Sequence, residues 1–339
     1  MQKLLLNIGK ILLLLTAILI VEEAAAGTIL VTNVLSNSVT LIDETALKPV
    51  KELSVGFMPH EVAVTPNGQF ALVSNFGDLT NLIPGHSLTS IDIENGKVLQ
   101  TIELAKKSRP HGVKFISDTQ ALVTAQGIQS LLVIDFVRGE VIKTIPLPGA
   151  GAHMVTTDAE LRYAYVANAD SGTVCKIDLK TFTVVGEVKV GSGVEGVALT
   201  LDENLLLATA RKDNVVTVVR TKDLTLLKKI PTGCGPVRVA MFNHGKSAVI
   251  TNTISGNAQI IDMAALAITN TFNTTAALSP LPVPTNIFVR DDQMTAYIAN
   301  SFAGNLTLVD LEKGQILKTF KASSMPDGLT VSSLTLANH

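Results

Sequence analysis

Tryptophan is absent from this 339-residue chain, tyrosine occurs three times, and cysteine only twice. Charge of either sign is also scarce in excess: 27 Lys and Arg face 29 Asp and Glu, for a net of −2. No basic surface therefore argues for nucleic acid, and no long charge run marks a solvated tail. Two cysteines cannot build a disulfide framework. Cys175 and Cys234 fall in different copies of the repeat described below and read as two free thiols, although export would permit a bridge. The H-E-x-x-H and G-x-S-x-G patterns are both missing. Gly191-Ser192-Gly193-Val194-Glu195-Gly196 matches G-x-G-x-x-G, but it lies between strands with no helix after it, so a dinucleotide site lacks its context.

What is present begins with an N-terminal segment unlike the rest. Lys3 and Lys10 precede the apolar run Ile11–Val21, and Ala24-Ala25-Ala26 places small residues before Gly27. This pattern predicts a secretory signal peptide over residues 1–26, cleaved at an A-x-A site. An uncleaved anchor is the alternative, which Glu22-Glu23 beside the site favours. No cysteine follows the run, which argues against a lipid anchor. The expected product is an exported protein, periplasmic in the first instance, with no membrane span after cleavage. A hydrophobic fraction of 47% is ample for a core.

Residues 27–339 carry seven copies of one pattern. The clearest is Tyr165-Val166-Ala167-Asn168, then Ser171-Gly172-Thr173-Val174, then Ile177-Asp178. The Ile-Asp-like element recurs at Asp43, Asp92, Asp135, Asp178, Arg220, Asp262 and Asp310, in steps of 42 to 49 residues. A period in the forties made of strands and turns is that of a β-propeller blade. Blade 4 serves as ruler, with strand a near Ala152–Asp158, b at Tyr163–Asn168, c at Thr173–Asp178 and d at Thr183–Val190. The chain enters at a b strand and ends with an a-type strand over Asp327–Ser332. The prediction is one all-β domain: a seven-bladed propeller of four-stranded antiparallel blades, closed by the C-terminal strand completing blade 1. The recurring Asp residues read as turn acceptors at the end of strand c rather than as a functional ring.

The Tyr-Val-Ala-Asn…Gly-Thr-Val…Ile-Asp-Leu signature, repeated as Ile298-Ala299-Asn300…Leu306-Thr307-Leu308-Val309-Asp310, resembles the bacterial YVTN β-propeller repeat family (YncE-like exported proteins). The resemblance covers the chain beyond residue 26 and implies an exported seven-bladed propeller. It implies little about activity, because propellers of this shape serve as binding proteins, surface proteins, lactonases and lyases.

Departures from the repeat mark a functional face. Asn75 to Asp92 spans 17 residues where the other blades have 10, an insertion within Phe76–Ser87. A second insertion falls in Thr274–Pro284, rich in proline. The b–c and d–a connections emerge on the same face, so both decorate one rim, which also carries the channel mouth. Aligning the starts of the inner strands gives a ring of Asp327, His60, His111, His153, Glu195, Val237 and Thr285. Three imidazoles flanked by two carboxylates form a candidate metal set suited to Zn, Fe, Mn or Ni. The bland alternative is a wet channel mouth whose polar residues complete turn hydrogen bonds. Arg109, Arg238 and Asn286 adjoin the ring as candidate ligand-holding residues, and His86 in the blade 2 insertion is a candidate cover.

Three functions fit this pattern. The first is a binding or interaction protein whose decorated face, loops 76–87 and 274–284, takes a protein, peptide, glycan or small ligand. The second is a metal-dependent hydrolase, lactonase or lyase, with water on a metal held by His60, His111, His153 and Glu195 and with Asp327 as acid/base or further ligand. The third is a structural envelope or surface protein. The first is favoured, because no nucleophile or acid–base pair stands apart from the ring.

Overall fold

The computed structural model describes residues 27–78, 82–275, 282–322 and 324–337. The leader predicted over residues 1–26 and the centres of both loop insertions lie outside the described residues. No helix among them is long and apolar enough to cross a membrane.

Seven four-stranded antiparallel sheets form the ring. Blade 1 pairs its b strand, Thr28–Asn33, with the C-terminal strand Pro326–Ser332, so the closure read from the sequence is the observed one. The other inner strands are Pro59–Val64, Pro110–Phe115, Ala152–Thr157, Val194–Leu199, Pro236–Phe242 and Pro284–Arg290. The a–b–c strands alternate residues into the spaces between blades, where each apolar cluster draws on two neighbouring sheets. One such cluster joins Val133 and Leu131 of blade 3 to Val155, Val166 and Cys175 of blade 4. No blade can bury both faces alone, which is why the ring folds as one unit.

The sequence signature has a direct physical cause. The Asn closing strand b is buried and sends its amide to two side chains on strand c: Asn33 to Ser38 and Thr40, Asn75 to Ser87 and Thr89, Asn300 to Asn305 and Thr307. In blade 4, Asn168 donates to Thr173 and to the thiol of Cys175, which replaces the usual threonine. Cys175 is buried and its thiol is pushed up to about 11 by burial, while Cys234 is exposed; both are free. The Ile-Asp aspartates accept turn amides as expected, Asp43 from Ala46 at 2.7 Å, Asp262 from Ala265 at 2.7 Å and Asp310 from Lys313 at 2.9 Å.

A short tail follows the last strand across the face opposite the mouth. The Leu334 carbonyl accepts from Thr28 Oγ1, and the Ala337 amide donates to Glu94 in blade 2.

Candidate functional site: the channel mouth

Each inner strand is irregular at its start. Pairing slips by one residue between Pro59 and Val62, Pro110 and Val113, Ala152 and Val155, and Val194 and Val197. The same slip occurs at Pro236/Arg238 and Pro284/Asn286. A β-bulge breaks the alternation of side chains and leaves one amide outside the ladder. Hydroxyls of strand b take up those amides: Ser74 accepts from Glu61, Thr124 from Gly112, Thr209 from Gly196 and Thr32 from Gly328. Thr32 and Thr124 also donate to the carbonyls of His60 and His153 in the next blade. The ring residues are thus anchored through their own backbones.

The residue before each inner strand has a positive φ in all seven blades. Blades 4, 5 and 6 use glycine there, at Gly151, Gly193 and Gly235, the relaxed choice for this conformation. Blades 1, 2, 3 and 7 instead place Met325, Met58, Arg109 and Val283 at φ of 58°, 46°, 48° and 47°. A β-branched residue in this region is an outlier, and strained positions concentrate at functional sites. Arg109, Val283 and Met325 all line the mouth.

The mouth encloses a cavity of about 470 Å³ bordered by His60, His111, His153, Glu195, Thr285 and Asp327, as the alignment of inner strands predicted, with Val237 completing the ring. The chemistry is more paired than a bare residue count suggests. His60 Nδ1 lies 2.8 Å from Asp327 Oδ2. Arg211 donates to Glu195 at 3.0 Å. The rings of His60 and His111 are 5.0 Å apart, and those of His111 and His153 stack at 3.9 Å with 34° between planes. Phe76, the first residue of the blade 2 insertion, packs edge-on to His111 at 5.0 Å and against His60 at 4.7 Å. The Arg109 guanidinium lies 4.0 Å from the centre of the Phe76 ring and donates to the Asp78 carbonyl.

Burial holds the His111 imidazole well below its usual value, aided by His153, His60, Arg238 and Arg109. His153 falls to about 4, chiefly from burial, with Arg238 and His60 adding and Glu195 opposing. Both rings are neutral at pH 7. Asp327 feels burial most strongly, yet its contacts with His60 and Arg238 bring its carboxyl below the usual carboxylate range. His60 Nε2, His111 Nδ1, His153 Nδ1, Arg109 Nε and Arg238 Nε are buried with no hydrogen-bond partner.

Several expectations need correction. The five residues read as a metal set share one mouth but do not converge: among the described residues, no three His, Cys, Asp or Glu side chains are placed to hold a metal ion. Both carboxylates are already engaged, Asp327 by His60 and Glu195 by Arg211. Arg238 and Asn286 do not stand ready for a ligand as a pair. Both donate to the buried carboxylate of Glu61, Asn286 at 3.1 Å. Glu61 was missed because it follows His60, where simple alternation would turn it away from the channel. Burial pushes its carboxyl upward against the pull of Arg238. His86 pairs with the exposed Glu103 at 3.5 Å and does not border the cavity.

The chain matches the Cytochrome D1 heme domain family over residues 117–241, a segment running from blade 3 into blade 6. Among solved structures it is similar to a functionally unknown protein from Desulfotomaculum acetoxidans, at 14% identity and a TM-score of 0.74, covering 90% of this chain and 98% of that one. It is also similar to hydrazine synthase of Kuenenia stuttgartiensis, at 21% identity and a TM-score of 0.71, covering 83% and 92% respectively. No curated protein matches. At these identities the likeness shows the fold, a β-propeller, and nothing finer.

Proposed function

We propose that this protein is an exported binding propeller of the YVTN type that captures a small ligand in the channel mouth. The observation that carries the reading is the set of buried nitrogens without partners on His60, His111, His153, Arg109 and Arg238, gathered around one cavity. Unsatisfied buried polar groups cost about 1–3 kcal/mol each, and a ligand bearing hydrogen-bond acceptors recovers that cost. The strained backbone at Arg109, Val283 and Met325 supports the same site, because glycine at these positions would relieve the conformation but remove the side chains that shape the cavity. The N-terminal segment supports export.

The test is thermal shift and calorimetry with acetate, butyrate, decanoate, citrate and inorganic phosphate, on the parent and on His111→Ala/His153→Ala and Arg109→Gln variants. At least one probe stabilises the parent and loses most of its effect in a folded variant. A parent that responds to none of them overturns the reading.

A second reading follows from the partial family match and concerns a haem-type group. Imidazoles with free ring nitrogens at His60, His111 and His153 are fitting iron ligands, and Phe76, Phe302 and Met325 give an apolar wall. Such a group, when bound, supplies an iron centre for electron transfer or small-ligand binding. Of the three, only His153 lies within the matched segment, and on this reading it is the residue that would hold the group. Haemin titration followed by absorbance tests this: a saturable spectral shift lost in His153→Ala supports it, and an unshifted spectrum rejects it.

A further inference from the structure

The mouth has two unlike sides, and from them we infer that its ligand is an amphiphile with a carboxylate-type head and an apolar tail. This deepens the binding reading above and rests on it. The apolar lining comes from Val237 of blade 6, Val283 and Met325 in the connections flanking blade 7, Phe302 of blade 7, Val34 of blade 1 and Phe76 of blade 2. The facing side, from blades 3 to 5, presents Arg109, His111, His153, Arg211 and Lys212. Polar groups interrupt the apolar side, with His60 paired to Asp327 and Arg238 to Glu61, and Glu195 and Asp170 stand among the cations, Glu195 paired to Arg211.

The apolar side continues beyond the cavity. Two residues after the end of strand b stand Leu35 in blade 1, Ile254 in blade 6 and Phe302 in blade 7, and they are 63%, 70% and 67% exposed. Leu82, in the blade 2 insertion, is 82% exposed. The equivalent tips in blades 3, 4 and 5 are Gly127, Asp170 and Lys212. Four consecutive blades therefore each carry an exposed apolar side chain in the loops of the mouth face, Phe302 among them bordering the cavity, and apolar surface of this kind marks a place that is covered in use. The backbone adds a second, independent sign. At the strained position before the inner strand, Val283 and Met325 hold apolar side chains against the mouth where blades 4 to 6 have glycine.

The head is an acceptor. Arginine Nε atoms only donate, and those of Arg109 and Arg238 lack partners; of the unpartnered imidazole nitrogens, those of His111 and His153 donate in the tautomer that carries the proton there. The carboxylates nearby are already engaged, Glu61 by Arg238 and Asn286, Glu195 by Arg211 and Asp327 by His60. These three carboxylates are held by their own partners, Asp170 at the rim of blade 4 is the remaining acidic group of the lining, and a ligand carboxylate fits the unpartnered arginine donors. Its tail then lies over Phe302 and Leu35.

Calorimetric titration of the whole protein with decanoate, below its micelle concentration, and with butyrate tests the inference. Decanoate binds at one site, and butyrate binds at least about tenfold more weakly, since each buried methylene is worth about 0.8 kcal/mol. Leu35→Ser weakens decanoate by about tenfold and leaves butyrate unchanged, and Phe302→Ser weakens decanoate more than butyrate; both side chains are exposed, so the variants fold. Equal binding of butyrate and decanoate, or decanoate binding indifferent to both substitutions, overturns the amphiphile while the binding mouth stands. Failure of both carboxylates beside a positive response to citrate or phosphate does the same, and leaves a partner protein's apolar segment as the cover of the exposed apolar side chains. Failure of every probe overturns both readings.

Discussion

Glu61 of blade 2 and Arg238 of blade 6 form a buried ion pair across the channel, 177 residues apart in the chain. Asn286 of blade 7 donates to the other carboxylate oxygen, so one side chain ties three blades together beside the mouth cavity. Both charges are more than nine-tenths buried. Burial opposes ionisation of Arg238 most strongly, yet Glu61, Asp327 and Glu195 together hold it above its ordinary value.

Removing one member of this pair strands the other. Arg238→Met leaves a buried carboxylate and is expected to cost about 3–5 kcal/mol, whereas Glu61→Met/Arg238→Met recovers much of that loss. Urea unfolding of the two variants decides it. Equal destabilisation in both would mean that the side chains contribute through packing rather than as a pair.

Acid weakens the ring through the same mouth. His111 and His153 titrate below their usual range in the folded state, so below about pH 6.5 the unfolded chain takes up protons that the native rings refuse. Stability is full above that pH and falls as pH drops towards about 4, where His153 itself protonates. The His153 share is about 3 kcal/mol over this window. Asp327, with its folded value depressed, adds a further loss only at lower pH, as the carboxyl protonates and its contact with His60 weakens. Unfolding midpoints compared at neutral and mildly acidic pH measure the slope, and His153→Gln is expected to flatten it.

Phe76 covers two of the three imidazoles and carries the Arg109 guanidinium on its face. Phe76→Ala removes a buried ring and is expected to cost about 3–5 kcal/mol. Phe76→Leu preserves most of the apolar contact and loses the aromatic edge and the cation–π contact, an effect on the order of 1 kcal/mol. Thermal melts of the pair separate cavity formation from the aromatic contribution.

The architecture was legible in the sequence because its signals are local and repeated. An Asn that bridges to strand c recurs in five blades and an Asp that accepts turn amides in six, at fixed spacing whatever the ligand, and the closing strand announces itself as a lone a-type segment. The mouth was legible only in outline. Spacing places His60, His111 and His153 at equivalent blade positions, but ring stacking at 3.9 Å depends on side-chain rotation that no spacing encodes. Glu61 was hidden for a different reason: a bulge changes the count by one residue, and the periodicity that identifies the strand then points its side chain the wrong way.

Ring closure is the last and most exposed dependence. Blade 1 obtains its inner strand, Pro326–Ser332, from the far end of the chain, and that strand also packs Leu329 and Val331 against blade 7. Deleting residues 324–339 leaves strand b of blade 1 with an open edge and removes Asp327 from His60. The truncated chain is expected to lose its single cooperative melt and to aggregate. The milder deletion of residues 333–339 removes the tail contacts from Thr28 to Leu334, from Leu334 to Ser332 and from Ala337 to Glu94, with the packing of Leu336. It is expected to keep the ring and lose about 1–3 kcal/mol, on the order of a few partly exposed hydrogen bonds and the Leu336 contact. Calorimetry on both truncations distinguishes a strand that closes the ring from a tail that only secures it: one broad, probe-dependent transition against one sharp transition at lower temperature.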